Sequence, residues 1–122
     1  LPIQYAFSFP ERLYLKGERL DLFKQQRLEF FEPDTNKFKC LALAYEAIDK
    51  GGNMPCILNA ANEVVNAAFR RNECSFLGMA DVIEQTMQQA TFDKNPNLDV
   101  YLQTDAEART IAQRLVLKAS TL

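Results

Sequence analysis

From Asn36 to the C-terminus the apolar positions recur with a helical period. Phe38, Leu41, Ala42, Tyr45 and Ile48 stand at i, i+3, i+4, i+7 and i+10, predicting a helix over about Lys37–Lys50. Cys40, Leu43, Ala44 and Ala47 make its other side apolar too, so this helix is expected to be the most central. Gly51-Gly52 stops it through a left-handed cap. Pro55 opens a second helix to about Arg71, whose residues Ile57, Leu58, Ala61, Val64, Val65, Ala68 and Phe69 cover an arc of about 140°. A third helix spans about Gly78–Ala90, with Met79, Val82, Ile83 and Met87 inward. A fourth begins at "TDAE", with Thr104 as N-cap and Glu107 completing a capping box. Its inward stripe is Ala108, Ile111, Ala112, Leu115 and Ala119, and "TFDKNPNLDVYLQ" before it reads as an irregular connection.

The first 35 residues follow another rule. Pro2 suits the first turn of a short helix that Pro10 ends. Beyond it charges interrupt short apolar bits, and Gly17 and Pro33 punctuate them. "RLEFF", Arg27 to Phe31, has the makings of one short strand, but a lone strand cannot satisfy its own ladder. Tyr5, Phe7, Phe9, Tyr14, Phe23, Phe30 and Phe31 crowd this arm and call for burial against another part of a longer protein or a second copy. The expected fold is therefore mainly α: a four-helix C-terminal bundle over 36–122, preceded by an extended linker arm over 1–35 with at most one short strand.

Composition narrows the chemistry. The 122 residues are 48% apolar and 25% charged with net charge −2, the balance of one soluble globular domain. The 14 basic residues are scattered, which argues against a nucleic-acid partner. No apolar run approaches the roughly 18 residues a membrane span needs. The start lacks Met and the features of a signal peptide, as expected of a trimmed or processed piece. Cys40, Cys56 and Cys74 are odd in number and lack CxxC spacing, so they read as reduced thiols in a cytoplasmic protein. There is no His, and the four glycines form no phosphate-binding loop. Asp93, Asp99 and Asp105 match no metal-binding spacing and are read as loop carboxylates.

One helix face stands out. Asn59, Asn62 and Asn66 fall within about 60° of one another on a helical wheel, and Glu63 and Arg70 join the same stripe. The readings are a solvated surface, a polar bridge to a neighbouring segment, or a catalytic site. The last is disfavoured because the stripe holds no base, nucleophile or converging acids. Against plain solvation, each Asn costs a helix interior roughly 0.5 kcal/mol relative to Ala, and Lys or Glu would serve water better. Short amides both donate and accept, which suits docking on backbone.

"CLALAYEAIDKGG", "LNAANEVVNAAF" and "FLGMADVIEQTM", in that order, resemble the carboxy-terminal part of the 1-deoxy-D-xylulose 5-phosphate reductoisomerase family. "LPIQYAFSFPERL" is similar to the segment leaving that family's catalytic domain. Lys39 departs from the family's usual Pro, and Gly78-Met79 from its acidic-Ile pair. The resemblance implies a homodimeric isomeroreductase of non-mevalonate isoprenoid biosynthesis that uses NADPH and Mg²⁺ or Mn²⁺ to make 2-C-methyl-D-erythritol 4-phosphate. It further implies a chain made of a catalytic-domain end (about 1–9), a linker (about 10–35) and the bundle (36–122). The family's cofactor loop, metal ligands, phosphate pocket and lid residues would all precede Leu1. No catalytic, cofactor-binding or metal residue is therefore expected here, and the piece alone is expected to be inactive and to self-associate through residues 1–35. The rival readings are an autonomous helical interaction module and, more weakly, a small enzyme using Cys or Asp groups.

Overall fold

The structure is a computed structural model that describes residues 2–14 and 16–119, the side chains of 118 and 119 excepted. It divides into two units, residues 1–32 and 33–122. The described residues form helices and no strand.

In the first unit, α1 (Pro2–Ser8) is a two-turn helix. Its end is closed by Ser8, whose carbonyl accepts from Glu11 N–H at 2.8 Å and whose hydroxyl donates to the Glu11 carbonyl at 2.7 Å. Tyr5 meets Phe9 edge-on at 5.8 Å, and the Arg12 guanidinium lies 4.5 Å from the Tyr5 ring centre. A second helix, α2 (Leu22–Gln25), was not anticipated. Asp21 starts it, accepting from Phe23 N–H at 3.0 Å and Lys24 N–H at 3.4 Å. Arg27–Phe31 forms no strand, since no neighbouring segment supplies a ladder. Phe7, Phe23 and Phe30 are largely exposed, because a chain this short has no second layer to put over them.

The second unit is the helical bundle, with α3 (Lys39–Lys50), α4 (Met54–Arg70), α5 (Phe76–Gln89) and α6 (Leu98–Ala119). Here α4 packs against all three others, while α3 and α6 each pack on α4 and α5. From α4 come Ile57, Ala60, Ala61, Val65 and Ala68, all fully or nearly fully buried. They meet Val82, Ile83 and Met87 of α5 and Ala108, Ala112, Leu115 and Val116 of α6. Small alanines on facing stripes let the backbones approach, and the branched residues fill the spaces between them.

Three expectations are corrected. The central helix is α4, not α3. Only Leu43 and Ala47 of α3 are buried, and Phe38, Tyr45 and Ile48 lie on its outer side. Helix α5 starts at Phe76, two residues before Gly78, because the Ser75 hydroxyl caps it by accepting from Gly78 N–H at 3.0 Å. Thr104 is not an N-cap but a buried residue inside α6, which begins at Leu98. Asn97 supplies the start instead, accepting from Val100 N–H at 2.9 Å. Glu107, freed from the box, accepts from Thr91 N–H and hydroxyl at 3.2 and 3.0 Å. The capping-box spacing matched, but burial of the Thr104 hydroxyl decided its partner. Ala119 lies outside the described side chains.

That partner is Asn53, the last of the three residues between α3 and α4. Its Nδ2 donates to Thr104 Oγ1 and to the Thr91 carbonyl, both at 2.9 Å. Its Oδ1 accepts from Asp93 N–H at 2.9 Å, and its own N–H donates to the Asp93 carbonyl at 3.0 Å. The two Gly residues before it make this approach possible. Both have positive φ (65° and 58°), and a Cβ on Gly52 would collide with the Asp93 carbonyl. Asn53 precedes α4 without capping it through its side chain, and Pro55 lacks one of the N–H groups such a cap would serve. The side chain is thus free to point inward.

Asn53→Ala should destabilise the chain by about 2–3 kcal/mol, because it leaves a buried hydroxyl and a part-buried carbonyl and N–H without their partner. Gly52→Ala should lose stability as well, and urea unfolding of both variants measures the two costs.

Candidate functional site

The stripe singled out by its amides lies on the outer side of α4. Asn59, Asn62, Glu63, Asn66 and Arg70 are all exposed, opposite the arc that carries Ile57, Ala61, Val65 and Ala68. The structure joins two of them, since Asn59 Nδ2 donates to Glu63 Oε1 at 3.4 Å. Asn62, Asn66 and Arg70 make no hydrogen bond or ion pair to another described side chain. The amide row is thus presented outward, with the Asn59 amide on Glu63 and those of Asn62 and Asn66 turned to the surface.

Glu63 anchors one edge of the row to α6. Its Oε2 receives Arg109 Nη2 at 2.6 Å, while Arg109 Nε donates to Asp105 Oδ2 at 2.7 Å. The hydrogen bond to Asp105, then that to Glu63, raises the Arg109 pKa still further above its ordinary value. Sequence spacing offered part of this, because Asp105 and Arg109 are an i, i+4 pair. The long-range partner Glu63 is visible only in the fold. A second bridge joins α3 to α5, where Lys39 Nζ lies 2.8 Å from Asp81 and 2.7 Å from Glu84. Hydrogen bonds to Asp81 and then Glu84 raise the lysine's pKa.

The remaining candidates do not converge. Asp93 Oδ1 accepts from Asn95 N–H at 2.8 Å, Asp99 sits in the first turn of α6, and Asp105 is engaged by Arg109. Among the described residues no three His, Cys, Asp or Glu side chains form a group able to hold a metal ion. Cys40, Cys56 and Cys74 are free thiols. The Cys56 Sγ donates to the Tyr101 carbonyl at 3.7 Å. Burial first, and the neighbouring Asp105 second, push the Cys56 thiol up; burial and then Asp81 do the same to Cys74. Sequence reasoning missed Asn53 altogether. The available signal was "GGNMP", an Asn between a glycine pair and a helix-opening Pro.

What the fold defines is an all-helical domain organised around one buried amide. Its sequence matches the profile described as the DXP reductoisomerase C-terminal domain over residues 1–111, and the chain belongs to that family. It is 60% identical over 118 residues to the 1-deoxy-D-xylulose 5-phosphate reductoisomerase of Bacteroides fragilis, covering 97% of this chain and 30% of that protein. The Bacteroides thetaiotaomicron enzyme is 60% identical over 116 residues, 95% of this chain and 30% of that protein. The solved reductoisomerase of Zymomonas mobilis in complex with NADPH superposes with a TM-score of 0.75 at 36% identity, covering 94% of this chain and 30% of that one. A reductoisomerase solved with NADPH, fosmidomycin and magnesium gives 0.72 at 31% identity, covering 94% and 30%. The chain thus spans about 30% of the length of the curated relatives it matches.

Because the Cys56 and Cys74 thiols are raised, less thiolate is present in each near pH 8 than in an ordinary cysteine. Iodoacetamide at that pH should modify exposed Cys40 first and the other two later, with their rates climbing as pH rises toward their pKa values. Peptide mass spectrometry gives the order.

Proposed function

We propose that this chain is the C-terminal part of an NADPH-dependent, divalent-metal-requiring isomeroreductase that converts 1-deoxy-D-xylulose 5-phosphate to 2-C-methyl-D-erythritol 4-phosphate. The relatives' names, and the NADPH and magnesium held by solved relatives, support this reading. In it, residues 1–9 close the catalytic domain, 10–35 form the linker and 36–122 the bundle. The intact protein would be a cytoplasmic homodimer. No described helix is long and apolar enough to cross a membrane.

The residues here do not fit the metal: the carboxylates are dispersed or tied to Arg109 and Lys39, and no three-donor group exists among the described residues. No chemical step is therefore assigned to this chain. Its task is support. The amide row of Asn59, Asn62 and Asn66, edged by Glu63 and Arg70, docks the bundle on the linker or the catalytic domain. The observation that carries this role is that three short amides stand exposed on the outer side of the most buried helix. Water alone would favour Lys, Glu or Ala there.

The aromatic arm supports one further element of the reading. With Phe7, Phe23 and Phe30 exposed, the 122-residue chain by itself should self-associate through residues 1–35. Sedimentation should show species above monomer that disappear when the arm is removed.

The triple change Asn59→Ala, Asn62→Ala, Asn66→Ala separates docking from solvation. It should stabilise the 122-residue chain by about 1–2 kcal/mol, as three poor helix formers are replaced by the best one. The same change should lower NADPH oxidation by the full-length enzyme. Unchanged turnover in a correctly folded variant would refute the docking role. The 122-residue chain mixed with NADPH and 1-deoxy-D-xylulose 5-phosphate should give no turnover above blank.

A further inference from the structure

Helix α3 is apolar on two opposite sides. Leu43 and Ala47 face α4 and α5 and are buried. Half a turn around the helix lie Leu41, half-buried, and Tyr45 and Ile48, which are 49% and 70% exposed; Phe38 extends this row beyond the N-terminus of α3 at 56% exposed. Asp49, one turn beyond Tyr45, borders the row and Lys37 Nζ lies 5.8 Å from the Phe38 ring centre, so Leu41, Tyr45 and Ile48 are its uncharged part. A helix that meets water on one side carries polar residues there, whereas one apolar on both sides belongs between two layers. The bundle supplies only the inner layer. At the start of α3 the stripe runs into a groove of about 350 Å³ lined by Phe38, Phe76, Leu77 and Met79 and also by Lys37, Lys39 and Asp81, so the apolar surface continues onto α5 beside charged groups.

We propose that the outer face of α3 is an interdomain seat, covered in the intact enzyme by an apolar surface from the part of the polypeptide outside these 122 residues. The inference rests on the reading of this chain as one part of a longer reductoisomerase. Its occupant is chosen by chain length: the match covers 30% of each relative, leaving about 70% of its length to provide the missing layer. This face differs from the amide row in chemistry and in helix. The row offers hydrogen bonds from α4; the α3 stripe offers mainly apolar area, and burying such area drives association without directional contacts. Together they would hold the bundle at two separate surfaces.

Hydroxyl-radical footprinting, read by mass spectrometry at Tyr45 and Ile48, tests the seat in the full-length enzyme and in the 122-residue chain. Oxidation of both residues should be severalfold slower in the full-length protein, and the protection should persist on dilution. Equal rates in the two proteins, as fast as in an unfolded peptide, would place the stripe in water and overturn the proposal. Protection lost on dilution would assign the face to a second copy, and equal protection already present in the 122-residue chain would assign it to the chain's own arm; either result overturns it. NADPH oxidation with 1-deoxy-D-xylulose 5-phosphate is measured on the same full-length sample. Normal turnover with an unprotected stripe would sink the seat alone and leave the enzyme assignment standing.

Discussion

The bundle is organised by one buried side-chain amide. Asn53 ties the start of α4 to the connection between α5 and α6 and to Thr104 within α6, using both amide hydrogens and its carbonyl oxygen. A buried amide left unpaired would oppose folding, so the arrangement forms completely or is penalised. Its geometry also constrains neighbours. Gly52 must lack a side chain because the Asp93 carbonyl passes against it, and Tyr101 adds a hydrogen bond from its hydroxyl to the Gly52 carbonyl at 3.3 Å.

Hydrophobic burial around α4 supplies the larger share of the driving force but little direction. Alanine-rich stripes can slide over one another with small changes in buried area. Directional contacts at the edges choose among those packings: Lys39 across α3 and α5, Arg109 across α4 and α6, and Arg114 donating to Gln89 across α5 and α6 at 2.8 Å. These pairs are half-buried or exposed, so each adds little stability, and their use lies in register. Lys39 stands at the first position of α3 and contributes a tie to α5 that a residue without a side-chain donor cannot make.

In the proposed reading, the outward surfaces are those of a part held by others. The amide row and the outer α3 stripe have opposite chemistries, and neither is used by the bundle to close its own core. A support domain needs both properties, a self-sufficient interior and surfaces left for neighbours.

The sequence by itself determined the helical class, the ends of α1 and α3, the opening of α4 near Pro55 and most of the inward stripes. These are local matters of period, glycine and proline geometry, and end chemistry, which depend on residues three or four apart. It also displayed the family blocks and the outward amide row. Only the tertiary structure decided that α4 and not α3 is central, because two apolar sides on one helix do not reveal which side has a partner in the chain. It alone decided that Thr104 serves Asn53 and that Glu107 serves Thr91, overriding a well-matched capping box. The partners of Asn53 lie 38 to 51 residues away, and a contact between distant segments leaves no periodic trace along the chain.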